Sequence, residues 1–126
     1  MNFPENVKYT KDHEWILISA DIGTVGITDY AQGELGDVVF VELPAVGKAF
    51  KLHDSFGSIE AVKAVSDLYA PISGTITEVN KDLDKTPELV NKDPFGKGWM
   101  VKVRLSNPSE VSSLLDAAAY KALVGK

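Results

Sequence analysis

Short apolar and β-branched runs recur along the chain with Gly and Pro between them, which is the spacing of an all-β domain rather than of βαβ units. The runs predict strands over Trp15 to Ala20, Gly23 to Thr28, Val38 to Leu43, Ser55 to Val62, Val65 to Tyr69, Thr75 to Val79 and Trp99 to Leu105. The last alternates with a period of two. Trp99, Val101, Val103 and Leu105 are expected on a buried face, with Met100, Lys102 and Arg104 on the opposite one. Pro71 to Gly74 and Pro44 to Gly47 read as turns, since Pro fixes φ and Gly permits positive φ. Gly23-Thr24-Val25 and Gly74-Thr75-Ile76 repeat a short pattern that hints at two similar half-units.

Three segments depart from the strand pattern. In the tail, Asn107 is placed to cap a helix that begins at Pro108 and runs to about residue 124, with Glu110 closing a capping box. Val111, Leu114, Leu115, Ala118 and Ala122 would form its apolar stripe, and Gly125 its stop. Thr28 or Asp29 is positioned to cap a single helical turn through Gln32. The polar, proline-punctuated stretch from Asn80 to Lys97 is too long for a hairpin turn and reads as a surface excursion.

Composition narrows the chemistry. The 126 residues include 13 basic and 18 acidic side chains, a formal net charge of −5, and no cysteine. A chain of this length buries enough surface to fold without disulfides. Zero cysteine excludes thiolate zinc clusters and a protein-borne redox dithiol. The acidic balance argues against nucleic acid or anionic membrane as a partner, because both attract clustered Lys and Arg. Residues 1 to 12 contain no apolar leader, and no run approaches the ~20 apolar residues of a membrane helix.

Active-site templates also fail. There is no Gly-rich dinucleotide fingerprint, no phosphate loop and no Gly-x-Ser-x-Gly elbow, and His13 and His53 do not form a zinc helix. His13 is read as a structural histidine. The unusual position is Lys63, in a Val62-Lys63-Ala64 centre flanked by two β-prone runs. A tight hairpin there holds the amine in water, either as an ordinary solubilising lysine or as a site of enzymatic acylation.

The sequence from Gly57 to Ala64 (GSIEAVKA), followed by Asp67 to Gly74 (DLYAPISG), resembles the lipoyl-attachment hairpin of the glycine cleavage system H proteins. The likeness extends through Tyr9 to Trp15 (YTKDHEW), Gly26 to Gly36 (GITDYAQGELG), Asp37 to Gly47 (DVVFVELPAVG) and the Gly98-Trp99 loop end, so it spans nearly the whole chain. Biotinyl domains differ in placing Met on both sides of the lysine. Lipoyl domains of 2-oxoacid dehydrogenases usually place Asp before it and lack the long loop and tail.

The resemblance implies a mainly β fold, a barrel-sandwich hybrid of two antiparallel sheets with a C-terminal α-helix, as a single lipoyl-carrier domain over residues 1–126. It implies lipoic acid in amide linkage to Lys63, and a non-catalytic carrier. The carrier would take an aminomethyl group from a pyridoxal-phosphate glycine decarboxylase to a tetrahydrofolate-dependent aminomethyltransferase, with dihydrolipoyl dehydrogenase restoring the disulfide. Lipoyl-attaching enzymes would be further partners, and a monomer is expected. Glu14 and Asp67, with Asp12 third, are the expected carboxylates of a cleft sheltering the loaded arm, and Glu60 is the candidate for recognition by the attaching enzyme. Gly57 and Gly74 are expected to serve the backbone rather than a ligand. The expected location is the bacterial cytoplasm, or the mitochondrial matrix for a processed organellar form. The alternatives are a lipoyl-relay protein serving other enzymes and an unmodified interaction domain.

Overall fold

The computed structural model describes residues 1–125. Its elements in chain order are β1 (Lys8–Tyr9), β2 (Glu14–Ser19), β3 (Ile22–Ile27), α1 (Asp29–Leu35), β4 (Val38–Glu42), β5 (Ala49–Phe50), β6 (Ser55–Ala61), β7 (Val65–Tyr69), β8 (Gly74–Val79), α2 (Asp82–Lys85), α3 (Leu89–Lys92), β9 (Val101–Leu105) and α4 (Ala117–Leu123). The strands form two antiparallel sheets, one in the order β1-β2-β3-β9-β8-β5 and the other β4-β6-β7. This is the mainly β, two-sheet architecture with a C-terminal helix that the strand pattern and the resemblance imply. β3 and β8, which carry the repeated Gly-Thr pattern, lie on either side of β9.

Inward-facing residues of both sheets meet in one core that includes Ile16, Val25, Val41, Ile59, Leu68, Ile76 and Val101. Burial of such side chains stabilises by about 1.5–3 kcal/mol each before entropy is counted. Gly57 and Gly74 lie where a Cβ would strike the backbone carbonyls of Glu42 and Arg104. Both therefore serve close backbone approach.

The excursion after Asn80 is better ordered than its polarity suggests. It contains α2 and α3, whose Leu83 and Val90 enter the core. Asn80 is itself buried and donates to the carbonyls of Lys97 (2.8 Å) and Trp99 (2.7 Å), closing the excursion at its base. This covering layer corrects the expectation for β9. Met100, placed by alternation on the polar face, is fully buried in the same core, and the strand begins only at Val101. Trp99 instead joins a second cluster, built on Val7, Tyr9, Trp15 and Tyr120.

The tail is not one helix from 108 to about 124. Pro108–Ser113 is a 3-10 helix, and α4 starts at Ala117 with Asp116 as its cap, accepting from Ala119 N at 2.8 Å. Between them Leu115 pairs with Tyr9 by two 2.8 Å backbone hydrogen bonds, which hold the chain extended. The capping box does not form. Asn107 makes no side-chain cap, and the Glu110 carboxylate accepts from Ser73 N (2.7 Å) and Ser73 Oγ (2.8 Å). Ala118 and Ala122 are consequently exposed, and Tyr120 is the fully buried anchor of α4. Gly125 does end the helix, at φ +77°.

Candidate functional site

The β6–β7 hairpin closes through Ala61 N to Ala64 O at 2.7 Å, which leaves Val62, Lys63 and Ala64 at its tip. A second tie fixes the tip in space: Val62 N donates to Asp37 O at 3.0 Å, in the link between α1 and β4. Asn91 of α3 braces that link. Its amide donates to Gly36 O (2.8 Å) and Gln32 Oε1 (3.0 Å), and its oxygen accepts from Val38 N (2.9 Å).

Lys63 is exposed, and its aliphatic shaft lies across Gly36, where an added Cβ would come within 3.2 Å of Lys63 Cε. Gly36 also ends α1 at φ +80°, so both the conformation and the crossing favour a residue without a side chain. α1 owes its length to the Thr28 cap, whose hydroxyl accepts from Ala31 N at 3.1 Å, and it runs a full turn beyond the predicted stop at Gln32.

Beside the hairpin is a cleft of about 310 Å³ between α1, the start of β2 and β7. Ile27, Ala31, Leu35, Ile59 and Leu68 supply apolar wall, while Asp12, Glu14, Glu34 and Asp67 supply carboxylates. A slightly larger cleft of about 360 Å³, lined in part by Glu42, Lys48, Phe50 and Ser58, shares Asp67 with it but has neither Glu14 nor the α1 wall. The smaller cleft includes Leu35, the residue before the Gly36 that the Lys63 shaft crosses.

Glu14 is the unusual acid, with only 2% of its surface exposed. Thr10 Oγ1 accepts from Asp12 N and Glu14 N (both 3.2 Å), which turns its own proton toward Glu14 Oε1 at 2.8 Å. Tyr69 N, on the free edge of β7, donates to Oε2 at 3.3 Å. Burial pushes the Glu14 carboxyl up to about 8, outweighing these two donors, and the neighbouring Asp12 adds to the rise. Burial thus holds Glu14 toward its protonated form around neutral pH.

Of the residues singled out from sequence, Glu14, Asp67 and Asp12 all line this cleft. Asp12 also lies 3.9 Å from His53 Nδ1. Glu60 does not join them: it faces solvent on the outer side of the three-stranded sheet. Glu34 and Tyr30 went unnoticed, although the spacing 30, 31, 34, 35 after a Thr cap describes one helix face. His13 is structural as expected, with Nδ1 2.9 Å from Tyr120 OH, and it borders the cleft as well.

Known proteins match this chain over nearly their whole length. The glycine cleavage H-protein profile matches residues 7–126. The chain belongs to the glycine cleavage H-protein family. A glycine cleavage system H protein of Bacteroides thetaiotaomicron is 55% identical over 124 residues, 98% of either chain. One of Symbiobacterium thermophilum is 58% identical over 121 residues, 96% of this chain and 94% of the other. The crystal structure of a glycine cleavage system H protein from Mycobacterium marinum superposes with a TM-score of 0.91 at 42% identity, covering 98% of this chain and 99% of that one. As an H-family protein the chain has the carrier role in glycine cleavage. Among the described residues no helix is long and apolar enough to cross a membrane.

Proposed function

We propose that Lys63 is the attachment site of a lipoyl group and that the whole chain is one non-catalytic lipoyl-carrier domain. The observation that carries this is the placement of the Lys63 shaft across Gly36, at the edge of a part-apolar cleft whose buried end is the Glu14 carboxyl. The residues fit such a group. The hairpin exposes the amine, the apolar wall suits a hydrocarbon arm, and the carboxylates suit a cationic cargo. When bound, the lipoyl group supplies the disulfide and dithiol chemistry that this cysteine-free chain lacks.

The chain's own residues hold and protect. Ile27, Ala31, Leu35 and Leu68 exclude water from the cleft. Glu14 gives its proton to solvent as a cargo ammonium approaches, and the Thr10 hydroxyl and Tyr69 amide stabilise the carboxylate so formed. Asp67 and Asp12 add negative charge at the cleft. The partners this reading assigns are glycine decarboxylase and the aminomethyltransferase, with dihydrolipoyl dehydrogenase and the lipoyl-attaching enzymes completing the set. The carrier acts as a monomer in the cytoplasm.

The test is the intact mass of the chain after expression with lipoic acid, alongside Lys63→Arg. The expected result is a lipoyl adduct on the parent and none on the variant. An adduct that survives in Lys63→Arg overturns the assignment.

A further inference from the structure

Nine large hydrophobic side chains are exposed among the described residues, and five of them, Val39, Phe40, Val62, Val65 and Tyr69, belong to the three-stranded sheet and its hairpin. A β-bulge creates part of this patch. Between Val38 and Phe40 the β4 register slips against β6, so Val39 and Phe40 are both solvent-facing, at 48% and 50% exposure, between buried Val38 and Val41. Bulges re-aim side chains in this way, and here the result is two adjacent apolar residues where alternation allows one.

The register extends the patch across the sheet. Phe40 pairs with Glu60 and Glu60 with Val65, so the three form one row on the outer face, with Val65 70% exposed. The next row is Glu42, Ser58 and Asp67, with Asp67 at the border between this face and the cleft. Val62, 76% exposed, carries the apolar surface to the residue beside Lys63. Glu42, Glu60 and Asp67 belong to none of the ion pairs among the described residues.

We infer that this face is the docking surface for the enzyme that acylates Lys63, and that the enzyme meets it with an apolar socket for Phe40 and Val65 rimmed by Lys or Arg. The inference rests on Lys63 being the attachment site. Charge decides against a second copy as occupant, because two such faces together would oppose like carboxylates on chains of net charge −5. Proximity decides for the acylating enzyme. Nζ must touch the acyl carbon of the activated donor, an acyl adenylate, for the amide to form as AMP leaves and Nζ gives a proton to solvent. That contact requires the enzyme to cover the surface immediately around the hairpin, whereas enzymes acting at the far end of an arm do not need to. Exposed apolar patches rimmed by charge are the usual form of such sites.

The experiment follows acylation of the full chain by an ATP-dependent lipoate–protein ligase, with lipoate and ATP, by intact mass. Phe40→Ser and the shape-conserving Val65→Thr are compared with the parent and with Leu17→Ser, which removes an exposed apolar residue from the other sheet. The expected result is a KM for the chain about tenfold higher in Phe40→Ser and several-fold higher in Val65→Thr, with kcat retained and Leu17→Ser unchanged. In Glu60→Gln and Glu42→Gln the salt dependence of kcat/KM should weaken. Normal acylation kinetics in both apolar variants overturns the docking inference while leaving Lys63 as the attachment site. No adduct on the parent overturns both. Self-association of the parent that Phe40→Ser abolishes assigns the face to a second copy and overturns the inference.

Discussion

The hydroxyl of Tyr120 lies 2.7 Å from Oγ1 of Thr28, 92 residues earlier in the chain, so the C-terminal helix is bonded directly to the N-cap of the helix that walls the cleft. The same hydroxyl meets His13 Nδ1, and the Tyr120 ring stacks on Tyr9 at 4.6 Å. Tyr120→Phe keeps the stacking and removes both polar contacts. It should lower stability by about 1–2 kcal/mol, read as a lower urea midpoint at unchanged slope, and speed hydrogen exchange in α1.

Glu14 should make stability fall as pH rises. Its folded value of about 8 lies above the ordinary carboxyl value of 4.5, so between those limits the folded state binds more protons than the unfolded one. The contribution is fully present below the lower limit and is lost as pH rises through about 8. His13, lowered below 6.5 chiefly by burial, acts in the opposite direction and only below that value. Thermal melts between about pH 5 and 8 should therefore show the parent losing stability relative to Glu14→Gln, with the difference levelling off above about 8.

The sheltering role has a kinetic signature. With the arm loaded with methylamine, Glu14→Ala and Asp67→Ala should release ammonia about tenfold faster than the parent, the rate equivalent of about 1.4 kcal/mol of lost charge-assisted bonding. Release timed at neutral pH checks this, and equal rates would remove both carboxylates from the role.

Asn91 touches neither Lys63 nor the cleft, yet it braces the link that holds the hairpin tip. Asn91→Ala leaves Val38 N and Gly36 O without their partners, at a cost of about 1–3 kcal/mol. Exchange of the Val62 amide, bonded to Asp37 O, should accelerate more than exchange in β9.

Local signals carried most of the architecture. The runs that predict β2, β3, β4, β6, β7 and β8 are short, β-branched and bounded by turn residues, and their order places Lys63 at a hairpin tip before any contact is known. The two-residue strands β1 and β5 left no signal, because two residues carry no period. The tail misled for a different reason. Its capping residues and apolar spacing do favour a helix, but Glu110 is taken by Ser73 and Leu115 by Tyr9, partners 37 and 106 positions away in the chain.

The amino-acid sequence by itself determined a cysteine-free, acidic β chain with one lysine presented on a turn, since strand period, turn chemistry and composition depend on near neighbours. Only the tertiary structure decided that one acid, Glu14, is buried while Asp12 and Asp67 stay in reach of water, and that Glu34 joins them. The reason is physical: a carboxyl's protonation depends on how much water and how many donors surround it, and at Glu14 these come from Thr10, from the edge of β7 and from the wall of α1.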